Sequence, residues 1–140
     1  MPLPVPLPAD AFTLDYRPEQ ALLVARWLQP LALPELQASY EAILAAAQAH
    51  GNCRRWLLDV RRRSTGDAAA LVWFGQQFSP RLLPALGGPL FAAYFSMITQ
   101  DVAKDIAALR ENIVQGELSG AHYYYFNRED EALAWLTQQP

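Results

Sequence analysis

The sequence predicts an α/β fold: one domain with a five-stranded, mixed but mostly parallel sheet and about four helices. Three observations lead to this prediction. Of the 140 residues, 52% are hydrophobic and 18% are charged, which suits a globular domain with a full core. Short apolar runs of strand length alternate along the chain with stretches of helical periodicity. The first two such runs are a single turn apart, which favours an antiparallel hairpin before the parallel strands.

The N-terminal part predicts an arm and a hairpin. Residues 1–10 are rich in proline, so we expect an extended, polyproline-like arm ahead of a single domain over residues 11–140. Residues 12–16 alternate apolar and polar side chains, as a half-buried strand does. Residues 17–20 have a proline at the second position of a turn, and residues 21–27 form the returning strand.

A helix and a central strand follow the hairpin. Pro34 suits the first turn of a helix, and Gly51 is expected to end it. The continuous apolar run 56–60 is typical of a strand covered on both faces. Asp59 lies inside this run, where an unpaired carboxylate would be costly. We therefore expect its side chain to reach the sheet edge, a loop N–H group or one of the arginines nearby.

The second half of the chain continues the alternation of helices and strands. The predicted elements are a helix capped by Asp67, a helical piece from Ser79 to Gly87, a strand over 90–98, a helix over 101–114 that Gly116 ends, a strand over 123–126 and a helix capped by Asn127. In the helix over 101–114, the apolar stripe consists of Val102, Ile106, Leu109 and Ile113. The order β-β-α-β-α-β-α-β-α with right-handed crossovers brings the loops after the strands to one edge of the sheet.

Three arginines follow the central strand at this edge. Arg61, Arg62 and Arg63 come directly after the apolar run, and Ser64 and Thr65 come next. Ligands of open α/β sheets bind beyond the carboxyl ends of the strands. The guanidinium groups, the two hydroxyls and the free N–H groups of the following helix would all favour an anion or an acidic partner. The alternative is a solvated loop that keeps the edge soluble.

Two short motifs and the order of the elements carry a resemblance to a known fold. The motifs are Trp-Leu-Leu-Asp-Val at 56–60, followed by Ser-Thr-Gly at 64–66, and Tyr-Tyr-Phe-Asn-Arg-Glu-Asp-Glu-Ala-Leu-Ala-Trp-Leu at 124–136. With the hairpin and the helix before Gly51, they resemble the SpoIIAA-like fold over about residues 11–138. STAS domains share this fold with bacterial relatives of uncharacterised role, which are the closer likeness.

The resemblance implies a regulatory role for the loop after the central strand. In STAS anti-sigma-factor antagonists this loop meets a partner kinase, which phosphorylates a serine in an Asp-Ser-Ser-Gly-like motif. The corresponding phosphoacceptor here would be Ser64 or Thr65, although Arg63 stands where that motif is acidic and the spacing before the serine is shorter. A phosphate at a helix N-terminus beside arginines would be electrostatically favoured. Helix capping alone explains the same residue types.

Composition and residue spacing argue against several other classes of function. A net charge of -3 does not suit a nucleic-acid binder. Cys53 is the one cysteine, which excludes a disulfide within the chain and a cysteine zinc site. Neither His50 nor His122 has partners at a catalytic or metal-binding spacing, so no metal, cofactor or enzymatic activity is expected. Prolines and glycines interrupt the apolar stretch 82–98, so no transmembrane segment is expected. The N-terminus lacks a signal-peptide pattern, which favours a cytoplasmic protein.

Two functions stay open at this point. The first is a non-enzymatic regulatory or protein-interaction domain that binds a partner or an anionic group through the three arginines, Ser64 and Thr65. The second is a domain that holds a lipid-like or other small apolar molecule between the sheet and the helix of residues 73–78, with the arginines on its acidic head. Trp73 is left over when its apolar neighbours point inward, and it would border such a pocket or a homodimer surface.

Overall fold

The computed structural model of the chain describes residues 1–63 and 67–140 and has one mixed sheet. In spatial order its strands are β1 (Pro2–Leu3), β2 (Phe12–Arg17), β3 (Leu22–Trp27), β4 (Arg55–Asp59), β5 (Leu90–Phe95) and β6 (Ala121–Phe126). The first three strands pair antiparallel and the last four pair parallel. The α/β class and the mixed sheet are confirmed, but the sheet has six strands rather than the predicted five.

The additional strand comes from the proline-rich arm. Pro2 and Leu3 pair with Asp15 and Leu14, so β1 lies at the outer edge of the sheet. Proline is tolerated there because an edge strand leaves one row of backbone groups without ladder partners. Leu3, Val5 and Leu7 are partly buried and pack against the core. The alternation of proline with apolar residues therefore attaches the arm to the domain.

The helices are α1 (Leu33–Ala49), α2 (Ala68–Trp73), α3 (Leu82–Leu86), α4 (Gln100–Asp105), α5 (Ala107–Leu118) and α6 (Glu129–Thr137). Between α2 and α3 the chain remains helical through a π-helical turn (Phe74–Phe78) and a 3₁₀ turn (Ser79–Arg81). Asp67 caps α2 as predicted, because its carboxylate accepts a hydrogen bond from the Ala69 N–H at 3.0 Å. The predicted cap at Asn127 is wrong, since α6 begins one residue later, after Arg128.

The helix predicted over 101–114 is two helices. Ile106 has φ -98° and ψ 113°, which ends α4 and starts α5 in a new direction. Val102 and Ile106 are therefore exposed rather than part of the buried stripe, whereas Leu109 and Ile113 are buried. Gly116 does not end the helix. A Cβ at this position would lie 2.6 Å from the Tyr123 ring and 2.7 Å from a backbone carbonyl, so glycine lets α5 pass close over β6.

Helices cover the two faces of the sheet unequally. The crossover segments α1, α2 to α3 and α4 to α5 pack on one face and enclose the main core. Right-handed crossovers between strands that are added in one direction give this arrangement. Helix α6 packs on the opposite face through Ala132 and Leu136. Within the residues that the structure describes, no helix has the length and apolarity to cross a bilayer.

Candidate functional site

A cavity of about 860 Å³ lies between the sheet and the helices at the carboxyl ends of β4, β5 and β6. The strands contribute Tyr94, Tyr123 and Tyr125, and Val60 follows directly after β4. The helical segments contribute Leu36, Tyr40, Leu71, Phe74, Leu109 and Ile113, among others. Most of this lining is aliphatic or aromatic. Volumes of this size, lined by apolar side chains and a few polar groups, are typical of small-molecule sites.

Two walls of the cavity are joined by Asn112. Its Nδ2 on α5 donates a hydrogen bond to the Leu71 carbonyl of α2 at 3.2 Å. Gly75, in the π-helical turn, permits this approach, because a Cβ at that position would collide with the Asn112 amide. π-Helical turns occur often at functional sites, where they alter the course of a helix. The contact holds α2 and α5 at a set separation on one side of the cavity.

Arg63 is a cation in the cavity lining. Its Nη1 donates a hydrogen bond to the Tyr40 hydroxyl at 2.9 Å, and its Cζ lies 4.6 Å from the centroid of the Trp27 ring. The Arg63 Nε is shielded from solvent and has no hydrogen-bond partner among the described residues. Within residues 1–63 and 67–140, no carboxylate lies within 4.0 Å of the guanidinium. Partial burial of a charge without an opposite charge is unfavourable.

Tyrosines provide further polar groups of the cavity lining. The hydroxyls of Tyr40 and Tyr94 are hydrogen-bonded at 3.0 Å, and the Tyr94 and Tyr125 rings are stacked with centroids 4.9 Å apart. The Tyr123 hydroxyl bonds to the Ser79 hydroxyl at 2.6 Å. Burial raises the pKa of Tyr94, Tyr123 and Tyr125 above the ordinary value. These phenols therefore stay neutral near pH 7 and do not balance a positive charge.

Arg61 belongs to an ion-pair network at the same end of the sheet. Its Nε and Nη2 donate to the two carboxylate oxygens of Asp59 at 3.0 and 2.9 Å, and Arg26 donates to Asp59 at 2.9 Å. Arg26 also pairs with Glu129 of α6 at 2.7 Å. Burial acts to raise the pKa of Asp59, but the hydrogen bonds from Arg61 and Arg26 outweigh it and hold that pKa below its usual range. The expected pairing of Asp59 is confirmed.

The structure separates the three arginines that the sequence places together. Arg61 is held by Asp59, Arg62 is exposed, and Arg63 lies against the ring of Trp27 on the cavity side. The cause is a turn, closed by a hydrogen bond from the Arg63 N–H to the Val60 carbonyl at 3.2 Å, which reverses the chain. Ser64 and Thr65, the predicted phosphoacceptors, lie outside the described residues.

Trp73 is placed behind one wall of the cavity. Its ring stacks on Phe78 at 5.4 Å and lies 6.0 Å from the Tyr40 ring. It is packed against the core and is not among the described residues that line the cavity. Its neighbour Phe74 takes the lining position, because the π-helical turn begins there and points that ring into the cavity.

Sequence reasoning missed the tyrosine cluster around Arg63. The sequence pattern assigns Tyr40 to the apolar face of a helix, and it assigns Tyr94 and Tyr125 to strands of the core. A usable signal was present, because a buried phenol normally needs a hydrogen-bond partner. Tyr40 and Tyr94, on separate elements, therefore indicated a polar contact within the core.

Comparisons with known proteins do not add to this picture. No family model matches the chain, and no curated protein matches it. The cavity, with its apolar lining and one arginine that lacks a carboxylate partner among the described residues, is the feature on which a function rests.

Proposed function

We propose that the protein binds a small, mainly apolar molecule in the cavity between the sheet and helices α2 and α5. The observation that carries this proposal is the cavity volume of about 860 Å³ within a largely aliphatic and aromatic lining. The cavity is partly open to solvent, and an apolar-lined space of this size beside the core is much larger than the few small voids that a closely packed domain interior contains. An apolar molecule that fills it would be stabilised by the removal of its surface from water.

Exposed apolar side chains at the border of the cavity support the same function. Val72, Met97 and Ile106 line the cavity and are also 53%, 77% and 42% exposed. They come from three separate segments, so they form a shared apolar margin rather than one helical stripe. An apolar margin around a cavity is typical of ligand-binding grooves. Methionine suits this position because its unbranched side chain adapts to different ligand shapes.

The alternative function, a protein-interaction domain at the edge after β4, stays a prediction. Arg61 is held by Asp59 and Arg63 by Tyr40, which leaves Arg62 as the arginine of the three whose side chain makes no hydrogen bond or ion pair with the described residues. The SpoIIAA-like resemblance and the phosphoacceptor role of Ser64 or Thr65 are likewise predictions. We favour ligand binding because the lining of the cavity is given by residues that the structure describes, whereas Ser64 and Thr65 lie outside them.

A neutral fluorescent probe tests the proposal. We expect N-phenyl-1-naphthylamine, which fluoresces in apolar sites, to bind the protein saturably at one site. Ala70→Phe should weaken this binding about tenfold, because Ala70 lines the cavity and the added ring occupies it. Ala69→Phe is the matched control, since Ala69 is the exposed neighbour on the same helix. Absence of saturable binding to the wild type, or equal effects of the two variants, would overturn the proposal.

A further inference from the structure

The feature that identifies the ligand more closely is the charge of Arg63. Arginine stays protonated in proteins, so its guanidinium brings a full positive charge to the cavity lining. Its described contacts are the Tyr40 hydroxyl and the aromatic faces of Trp27 and Tyr40. These contacts orient the guanidinium without neutralising it. Natural domains seldom keep such a group partly buried unless it has an anionic partner.

The surrounding polar groups can act together as donors for an anion. Arg63 donates to the Tyr40 oxygen, so the Tyr40 O–H is free to donate to Tyr94 across their 3.0 Å contact. In that direction the Tyr94 O–H is left to donate into the cavity that it lines. Such a chain strengthens each donor in turn, because the charge at its start polarises the hydroxyls that follow.

The charges of the lining also set the number of charges on the ligand. Arg61, Arg63, Asp67 and Glu111 are the ionisable acids and bases in the lining, apart from the tyrosines. Arg61 is already paired with Asp59. Arg63 is therefore the cation of the described lining that has no carboxylate within 4.0 Å, while the lining also carries the two carboxylates of Asp67 and Glu111. Two carboxylates in the lining repel a dianion more strongly than a monoanion, so a singly charged head suits it better than a phosphate dianion.

We infer that the ligand is an apolar molecule with a single carboxylate head, and that this carboxylate binds Arg63 while the apolar body occupies the space between α2, α5 and the sheet. This inference rests on the proposed function. A carboxylate accepts hydrogen bonds from the guanidinium and from tyrosine hydroxyls together, and charge-assisted hydrogen bonds of this kind are the strongest that a protein offers an organic anion.

Three ligands that share one alkyl chain test the head group. Dodecanoate, dodecanol and dodecyl phosphate are each titrated to displace the neutral probe N-phenyl-1-naphthylamine from the protein, below their micelle-forming concentrations. We expect dodecanoate to bind about ten- to a hundredfold more tightly than dodecanol, and more tightly than dodecyl phosphate. Equal binding of dodecanoate and dodecanol, or a preference for the phosphate, would overturn the inference.

Substitution of the arginine assigns the preference to its source. Arg63→Met keeps an apolar side chain of similar length and should reduce the dodecanoate preference to about one, with binding of the neutral probe retained. Arg62→Met is the matched control and should keep the wild-type preference, because Arg62 is exposed. Arg63→Lys restores the charge without the planar fork and should recover part of the preference. If Arg63→Met does not fold, Arg63→Lys takes its place as the test variant.

The outcomes separate this inference from the proposed function. If the neutral probe does not bind the wild type, ligand binding in the cavity is itself wrong. If the probe binds but Arg63→Met retains the dodecanoate preference, only the carboxylate assignment fails. The same holds if Arg63→Lys has the wild-type dodecanoate preference while Arg62→Met loses that preference.

Discussion

The hydroxyls of Tyr40 and Tyr94 meet at 3.0 Å across the interior of the domain and join α1 to β5 beside the cavity. Tyr40 also accepts a hydrogen bond from Arg63, so it lies between a cation and a second phenol. One hydroxyl thus couples a helix, a central strand and the loop after β4. We therefore expect the Tyr40 hydroxyl to affect both the stability of the domain and the polarity of its cavity.

Tyr40→Phe should lower the free energy of unfolding by about 1–3 kcal/mol, because it leaves the Arg63 Nη1 and the Tyr94 hydroxyl without this partner. Denaturation with urea measures the change. Tyr125→Phe serves as the control, since its hydroxyl has no hydrogen bond to the described part of the chain, and it should change stability by less than about 0.5 kcal/mol. Equal losses in the two variants would show that the hydroxyl contacts of Tyr40 are not what stabilises the domain.

Substitution by methionine should destabilise the protein at Arg61 but not at Arg63. Arg61→Met removes a partner of the buried Asp59 carboxylate and should lower the melting temperature. Arg63→Met removes a cation that has no carboxylate partner among the described residues, and it should leave the melting temperature unchanged or raised. Thermal unfolding of the ligand-free protein, followed by circular dichroism, checks both. A lower melting temperature for Arg63→Met than for Arg61→Met contradicts the arrangement of charges described above.

Asp59 should make stability depend on pH in the acid range. Its pKa is lower in the folded protein than in the unfolded chain, where it lies near the ordinary value of about 4. The stabilising contribution is therefore fully present above about pH 5 and is lost as the pH falls through the folded-state pKa. Free energies of unfolding measured from pH 7 down to pH 3 should fall more for the wild type than for Asp59→Asn. Arg26→Met should lessen the fall as well, because Arg26 is one of the two side chains that lower this pKa.

Gly116→Ala should destabilise the protein by about 1–3 kcal/mol, although alanine is the better helix former. The new methyl group would lie 2.6 Å from the Tyr123 ring and 2.7 Å from the Ala121 carbonyl oxygen unless the helix moved away. Glu117→Ala, on the exposed side of the same helix, is the control and should have little effect. A gain in stability for Gly116→Ala, measured by urea denaturation, would mean that α5 does not pass this close to β6.

Gln100 should keep the outer edge of β6 from pairing with other strands. Its side-chain Oε1 accepts a hydrogen bond from the Tyr125 N–H at 2.8 Å, and its Nε2 lies 3.5 Å from the Tyr123 carbonyl. Gln100→Ala frees these backbone groups on an edge strand, which favours association between chains. Light scattering after size-exclusion chromatography should show a mass that rises with concentration for the variant. A wild-type elution profile for Gln100→Ala would assign the protection of this edge to other groups.

Features that depend on neighbouring residues were predicted well from the sequence. The hairpin follows from two short runs around a turn with Pro18, and the central strand follows from the apolar run that ends in Val60. The pairing of Asp59 was expected because a carboxylate in such a run needs a partner. Asp67 was recognised as a helix cap from its position before an apolar helix.

Features that depend on distant packing were not predicted. Strand β1 was not predicted because its prolines argue against a strand at any position except the edge of a sheet. That β1 lies at an edge is known only once the sheet has been assembled. Glycine often ends a helix, which is why Gly116 was predicted to do so. In the structure a glycine is needed at this position because α5 passes close to the Tyr123 ring. The break at Ile106 likewise divides an apolar stripe that looks continuous in the sequence.

The sequence by itself determined the α/β class, the hairpin and the presence of arginines at the carboxyl end of the central strand, because periodicity and turn residues act over a few positions. Only the tertiary structure decided that Arg61 turns to Asp59 while Arg63 turns to the cavity. That choice depends on a turn of a few residues and on tyrosines from α1, β5 and β6, which come together only when the sheet and its helices have packed.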